Sequence, residues 1–462
     1  MSPAARAVLA IAPRLLMVAS LLALPGAARS ALGPRYGGDL VVAVPDMPPS
    51  LGPGSGRGVA ASLLGGLVHE PPVGIDADGL PVPGLVQGWT AAAEGRELRL
   101  ALRETAAFHD GRPVTAEDML AALRRFLRSD SAAAAWLAAA LDRGAPAAAP
   151  DPAHLVLRFA EARALPLAPL AAAGAAVTGP GGAGCGPFLP LAPTPGKRIR
   201  LLAFAGHVRG RPYLDAVDVV AATEAEVLES GFRAGKIDVF PGGDGPSALA
   251  TTLILALDPT SPPFDRPQSR GTVNGALDRA DMVRRLLPAG DPLPSLLVPG
   301  LLPPMVAYAH VGGADLAATV RMVVGRDVPP LISQRIVASL GAVGLQVEAR
   351  AVAPEEARTA RAAARLFLWS PEVPEAGLAL HELARLAPGV AGVDEALEAA
   401  GRELDLDRRR ALLHRAEAAL REENRLIPVA SVPVSFRARP SVHDLRVDLS
   451  GRLVLEDAWR EP

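Results

Sequence analysis

The sequence has few of the residues on which disulfide-stabilised, nucleic-acid-binding and membrane-spanning proteins depend. It contains one cysteine, Cys185, so no disulfide can form within the chain, and an exported protein would have to rely on its core for stability. The 47 basic and 49 acidic residues nearly balance, which argues against the strongly basic surface that binds nucleic acid. Beyond residue 30, no apolar run approaches the roughly 20 residues that cross a bilayer.

The amino terminus has the pattern of a signal peptide. Arg6 and Arg14 precede the apolar run 15–24, and small residues that include Ala28 follow it. The run is about half as long as a membrane span, and small residues suit signal peptidase. We therefore expect residues 1–30 to be a signal peptide and the rest of the chain to be periplasmic. No cysteine lies near the cleavage region, so no lipid anchor is expected.

Apolar periodicity predicts strands in several parts of the chain. Residues 40–44 form a short apolar run between glycines and a proline, which suits a buried strand. In residues 98–102 and 155–159, leucine or phenylalanine recurs at every second position. That spacing is typical of strands with one buried face.

Helix signals alternate with these strands. Thr115 is followed three residues later by Asp118 and then by apolar residues at helical spacing, the pattern of a capping box. Thr223 and Glu226 predict a second helix start of the same kind. A longer amphipathic segment covers residues 407–422. The alternation of strands and helices indicates an α/β fold.

The sequence offers no convincing catalytic or cofactor motif. Gly179, Gly181 and Gly184 have the spacing of a dinucleotide fingerprint, but Pro187 lies where the phosphate-binding helix would begin. Cys185 in this glycine-rich loop is more typical of a small buried residue than of a nucleophile or metal ligand. We therefore expect no enzymatic activity, cofactor or bound metal.

An ordered series of short segments extends over nearly all of the chain after residue 30. They are YGGDLVVA (36–43), GLPVPGL (79–85), FHDGRPVTAED (108–118), GCGPF (184–188), RPYLD (211–215), AGKIDV (234–239) and ALDR (276–279). In this order they resemble the family 5 extracellular solute-binding proteins, which serve ABC transporters of the dipeptide, oligopeptide and nickel type. A series of this length is more specific than any one of its motifs.

The resemblance implies a type II-like periplasmic binding protein fold of cluster C, with two hinged lobes and an extra subdomain. On that layout, lobe one comprises residues 31–50, 186–268 and 430–462. The extra subdomain comprises residues 51–185, and lobe two comprises residues 269–429. A solute in the cleft would contact both lobes only when they are closed, and it would shift the equilibrium toward the closed state.

The resemblance also implies a ligand site. Peptide-binding relatives have a tryptophan with an aspartate three residues later, and that aspartate receives the ammonium group of the ligand. Here Trp369 is followed by Glu372 and Glu375, so Glu372 takes the place of the aspartate and Trp369 would form an apolar wall. The expected ligand-binding residues are Trp369, Glu372, Glu375, Gly184, Cys185 and Gly186.

We expect a monomeric component of an ABC importer that delivers peptide-like solutes to permease subunits. One alternative is a binding protein for a metal chelate, an opine or an oligosaccharide, in which Glu372 would turn away from the ligand. Another is a sensory or interaction protein of the same fold, in which the cleft would be filled. Residues 241–320 form a segment that is shorter and richer in proline and glycine than the resemblance leads us to expect, so lobe two could be reduced.

Overall fold

The computed structural model describes residues 33–461, with the exception of residues 57, 77–78, 165, 193–195, 288 and 305–314. The predicted signal peptide, residues 1–30, lies outside this part of the chain. The described residues from Arg35 onward belong to one unit, which the following paragraphs describe. Within the described residues, every helix is too short or too polar to traverse a bilayer.

Up to residue 185, short strands alternate with helices. The strands are β1 (Asp39–Val44), β2 (Val73–Ile75), β3 (Pro81–Pro83), β4 (Val86–Ala92), β5 (Glu97–Leu102), β6 (Ala147–Asp151) and β7 (His154–Arg158). The α-helices are α1 (Val59–Val68), α2 (Ala116–Phe126) and α3 (Ala132–Ala140). Strands β4, β5, β7 and β6 form a separate antiparallel sheet in that order.

The remainder of the chain contains the longest strands as well as several short ones. They are β8 (Phe188–Pro190), β9 (Arg198–Ala203), β10 (Ala216–Ala221), β11 (Val239–Pro241), β12 (Ser247–Leu257), β13 (Asp291–Pro292), β14 (Ala318–Gly325), β15 (Leu345–Val352), β16 (Ala364–Trp369), β17 (Leu426–Ala438), β18 (Val442–His443), β19 (Arg446–Val447), β20 (Leu453–Val454) and β21 (Trp459–Arg460). The helices are α4 (Ala225–Arg233), α5 (Pro267–Ala276), α6 (Arg279–Leu286), α7 (Pro330–Gly341), α8 (Pro354–Thr359), α9 (Ala376–Leu386), α10 (Val393–Arg402) and α11 (Leu406–Glu422). The predicted α/β class is confirmed.

Strand β17 joins two sheets. Most of its length pairs antiparallel with β12, and its last three residues, 436–438, pair with β11. On the β12 side the order continues through β16, β14 and β15; on the β11 side it continues through β1, β10, β9 and β8. Strand β12, which the predicted boundaries assign to lobe one, therefore lies in the same sheet as β16.

Apolar side chains form cores against both of these sheets and around the separate sheet of β4, β5, β7 and β6. Phe188 and Phe436 lie in the core of the sheet that contains β1. On β16, Leu366 and Phe367 belong to the cores on opposite faces of the other sheet. Because both faces are covered, β16 is a nearly continuous apolar run rather than an alternating one.

The first predicted capping box is confirmed and the second is wrong. The Thr115 hydroxyl accepts a hydrogen bond from the Asp118 N–H at 3.3 Å, and the Asp118 carboxylate accepts one from the Thr115 N–H at 2.9 Å. In α4 the N-cap is Glu224, whose side chain makes no capping hydrogen bond. Glu224 keeps an extended backbone, with φ −73° and ψ 121°, so the helix begins one residue later than a box at Thr223 requires.

A buried ion pair joins α9 to α11. Glu375 is 4 % exposed and is the N-cap of α9, where its carboxylate accepts hydrogen bonds from the N–H groups of Gly377 at 3.0 Å and Leu378 at 2.9 Å. Arg409, which is 9 % exposed, donates to the same carboxylate at 2.9 Å. The pair satisfies an otherwise buried charge and fixes the start of α9 against α11.

Replacement of Thr115 should measure how much the capping box contributes to the stability of the fold. We expect Thr115→Ala to lower the free energy of unfolding by about 1 kcal/mol, because one helix N–H loses its acceptor. Urea denaturation monitored by circular dichroism would measure the change. Thr223→Ala is the matched control and should leave stability unchanged; equal losses in the two variants would contradict this account.

Replacement of Arg409 should destabilise the fold much more than replacement of the neighbouring Arg410. Arg409→Met leaves the Glu375 charge buried, so we expect a loss of about 3 kcal/mol in the free energy of unfolding. Arg410 pairs with Asp407 at 3.2 Å in an exposed position, so Arg410→Met should cost no more than about 0.5 kcal/mol. Urea titrations of both variants would test the contrast, and similar midpoints would show that the Glu375–Arg409 pair is not important for stability.

Candidate functional site

A cleft of about 420 Å³ lies between the strands that join the two sheets and the part of the chain that contains α1, α2 and the start of α3. On one side it is lined by the glycine-rich segment before α1, by Arg125 and Phe126 at the end of α2, and by residues 129–131, which precede α3. From the other side it is lined by the end of β16 and the residues that follow, together with Thr251 of β12 and Val434 of β17. The cleft is therefore bordered by the strands that connect the sheets.

Strand β16 places alternate side chains on opposite sides. Leu368 and Ser370 line the cleft, and the Ser370 hydroxyl lies 2.9 Å from that of Thr251. Because successive side chains of a strand point to opposite faces, Trp369 points the other way. Its indole is 2 % exposed and lies in the core with Phe367, and among the described residues its Nε1 has no hydrogen-bond partner.

Glu372 lies at the wall of the cleft and is half-buried. Its carboxylate accepts a hydrogen bond from the Ser131 hydroxyl, with 2.7 Å between Oγ and Oε2. Its backbone N–H donates to the Glu382 carboxylate at 3.1 Å. Of the two glutamates that follow Trp369, Glu372 is the one in the cleft, since Glu375 is the buried cap of α9.

The loop of Gly184, Cys185 and Gly186 lies against the end of α1, and Cys185 belongs to the core around the sheet of β4, β5, β7 and β6. A Cβ at Gly184 would collide with the Val68 carbonyl oxygen, and a Cβ at Gly186 would lie 2.6 Å from the Val68 carbonyl carbon. These glycines therefore permit close contact between two backbones. Among the described residues that line the cleft, none belongs to this loop.

The thiol of Cys185 is inaccessible. The residue is 0 % exposed, and its Sγ lies 3.5 Å from the Val177 carbonyl oxygen, to which the thiol donates. Burial raises the pKa of the thiol to about 12. At neutral pH it is a protonated, unreactive core side chain.

Among the described residues that line the cleft, three carboxylates outnumber two guanidinium groups. Arg125 donates to the Thr178 hydroxyl at 3.1 Å, and Arg358 donates to the Glu355 carboxylate at 2.9 Å and to a backbone carbonyl. Both guanidinium groups thus have partners within the protein, and the charge of Arg358 is paired with that of Glu355. The carboxylates of Asp130, Asp327 and Glu372 also line the cleft. An ammonium or guanidinium group would be attracted to them.

Ser131, Asp130 and Asp327 were not predicted as site residues. Ser131 precedes an alanine-rich helical segment and could have been predicted as the N-cap of α3. Its contact with Glu372 joins residues 241 positions apart, a relationship that no local pattern carries. Within the described residues, no group of three or more histidine, cysteine or carboxylate side chains has the arrangement of a metal site.

Solved structures share this fold. A periplasmic binding protein of Helicobacter pylori, DppA, in complex with the peptide STSA, matches 93 % of this chain and 99 % of its own, with TM-score 0.80 and 15 % identity. A dipeptide-binding protein of Pseudoalteromonas sp. SM9913 in complex with Met-Leu matches 92 % and 100 %, with TM-score 0.79 and 14 % identity. The protein AgaA of A. tumefaciens R10, in complex with agropinic acid, matches 92 % and 99 %, with TM-score 0.79 and 17 % identity.

These matches extend over nearly the whole of each chain, and they confirm the predicted type II periplasmic binding protein fold. The family model described as "Bacterial extracellular solute-binding proteins, family 5 Middle" matches residues 81–318 of the sequence, just over half of the chain. The chain therefore belongs to the family 5 bacterial extracellular solute-binding proteins.

Proposed function

We propose that the protein is the periplasmic solute-binding component of an ABC importer and that it captures short peptides. The observation that carries this proposal is the position of Glu372, whose carboxylate lines the cleft while the nearby arginines are bound within the protein. A peptide amino terminus bears the ammonium group that such a carboxylate binds. Two of the similar structures contain peptides, which supports this choice of solute.

The solute would be captured by a movement about the strands that join the sheets. At this crossing the Phe436 N–H donates to the Pro246 carbonyl at 3.0 Å, and Gly245 lies directly against the Phe436 carbonyl, leaving no room for a side chain. Bending here would open the cleft and would also separate Val373 and Leu378 from the core that they share with the extra subdomain. A peptide that contacts both walls binds the closed state better and shifts the equilibrium toward it.

The other predicted site residues would hold the walls of the cleft in place without contacting the solute. Trp369 anchors the end of β16 in the core, and Glu375 fixes the start of α9. The loop of Gly184, Cys185 and Gly186 holds α1 in place, and the first turn of α1 lines the cleft. In this proposal these residues set the position of Glu372 and of the opposite wall, and Glu372 contacts the solute.

The wider role follows from membership of the family. We propose that the signal peptide directs the chain to the periplasm, that the mature protein acts as a monomer, and that its closed form is recognised by permease subunits. In this proposal the two lobes and the extra subdomain have the boundaries predicted above, and the protein binds its solute without chemical change. The agropinic acid complex of AgaA makes an opine the main competing solute.

Neutralisation of Glu372 should weaken peptide binding selectively. A charge-assisted hydrogen bond contributes about 1.5–3 kcal/mol, so Glu372→Gln should raise the Kd for a dipeptide by roughly 10- to 100-fold. Calorimetry with Leu-Leu, Lys-Leu and Glu-Leu, each with a free or an acetylated amino terminus, would measure this. Because the cleft is rich in carboxylates, Lys-Leu should bind most tightly and Glu-Leu most weakly.

The control for this experiment is Glu104→Gln, since Glu104 is exposed and lies outside the cleft. It should bind every peptide as the wild type does. If acetylated and free peptides bind the wild type equally well, the ammonium role of Glu372 is wrong. If none of the peptides binds and an opine does, the solute is not a peptide.

Cys185 should be unreactive in the folded protein. Its thiol is buried and its pKa is raised to about 12, so at pH 8 we expect no labelling by iodoacetamide in the native state and complete labelling in guanidinium chloride. Intact-mass spectrometry would follow the reaction. Rapid labelling of the native protein, with protection when a peptide is added, would instead place this loop in the cleft.

A further inference from the structure

Ser131 contacts Glu372 across the boundary between the extra subdomain and lobe two. Its hydroxyl donates to the Glu372 carboxylate over 2.7 Å and accepts a hydrogen bond from the Ala134 N–H at 3.2 Å as the N-cap of α3. A hydroxyl has one proton and two acceptor sites, so the two roles are compatible. Ser131 is therefore both the N-cap of α3 and a hydrogen-bond donor to the Glu372 carboxylate in the cleft.

Helix α9 fixes both ends of this contact. Glu382 accepts the backbone N–H of Glu372 at 3.1 Å. One turn further along the same helix, Arg385 donates to the Asp130 carbonyl at 2.9 Å, which fixes the backbone next to Ser131. The separation between Ser131 and Glu372 is thus set by a single rigid element.

The interface around α9 is a packed one. Val373 and Leu378 lie in the core of the extra subdomain, at 2 % and 5 % exposure. Arg163 of the subdomain has a side chain that is 7 % exposed and forms an ion pair with Glu398 of α10 at 2.8 Å. In the arrangement that the structure shows, the subdomain and this part of lobe two are therefore packed together, and the Ser131–Glu372 contact forms where that interface meets the cleft.

We propose that Ser131 is a positioning residue that holds the Glu372 carboxylate in the orientation in which it receives a cationic group of the solute. The proposal rests on the proposed function. A carboxylate can accept about four hydrogen bonds, so the hydroxyl and an ammonium group can bind it together. The contact also gives a physical reason for a glutamate at this position, because an aspartate is one methylene shorter and would not reach Ser131.

If Ser131 positions Glu372, its loss should change the preference for free over acetylated peptides and not only the stability of the fold. An oriented side chain loses less rotamer freedom when it binds, so loss of the hydroxyl should reduce the preference for free over acetylated dipeptide by roughly fivefold to tenfold. Ser131→Gly removes the hydroxyl, and glycine is tolerated at N-caps. Ser131→Thr keeps the hydroxyl and should preserve the preference.

Two further variants separate the possible causes. Glu372→Asp keeps the charge but is too short to reach the hydroxyl, so it should resemble Ser131→Gly. Thr115→Gly removes an N-cap hydroxyl from α2, outside the cleft, and should leave the preference unchanged. Calorimetry with Lys-Leu and N-acetyl-Lys-Leu would provide the ratios of Kd, and urea unfolding of Ser131→Gly, Glu372→Gln and the double variant would test whether their effects on stability are non-additive.

The proposal predicts a reduced preference in Ser131→Gly and Glu372→Asp, a wild-type preference in Ser131→Thr and Thr115→Gly, and non-additive unfolding in the double variant. If the wild type prefers the free peptide and Ser131→Gly prefers it equally, Ser131 does not position Glu372 and the proposed function still stands. If the wild type shows no preference, the ammonium role of Glu372 is wrong and this proposal fails with it.

Discussion

The structure depends on one strand that belongs to two sheets. Strand β17 pairs with β12 over most of its length and with β11 at its end, so the sheets share a backbone and cannot separate. The cleft lies against this shared strand and is bordered by Thr251 of β12 and Val434 of β17. A solute-binding protein needs walls that can move without losing their connection, and a strand common to both sheets meets that requirement.

Around this strand, the charged side chains are divided between structure and recognition. Arg125, Arg358 and Arg409 all donate to groups within the protein, and Glu375 is the cap of a helix. Glu372 is different, because its carboxylate lies at the cleft wall, where Ser131 orients it. The two glutamates are only three residues apart, but Glu375 is the N-cap at which α9 begins, whereas Glu372 precedes the helix and lines the cleft.

Local patterns in the sequence were sufficient for much of the fold. The apolar run of β1, the alternation in β5 and the capping box of α2 each reflect interactions within a few residues, and the structure has all three. The orientation of Trp369 could not be predicted, because β16 is apolar on both faces. The Ser131–Glu372 contact joins positions 241 residues apart, and the burial of Arg409 depends on where α9 lies against α11. Such features arise from tertiary packing.

The central claim is that the cleft holds a peptide by its free amino terminus. The most direct measurement is native mass spectrometry of protein purified from the periplasm, followed by denaturation and identification of the released molecules. We predict short peptides with unblocked amino termini. Release of a non-peptide solute, or of peptides whose amino termini are blocked, would contradict the claim while leaving the fold and the family unchanged.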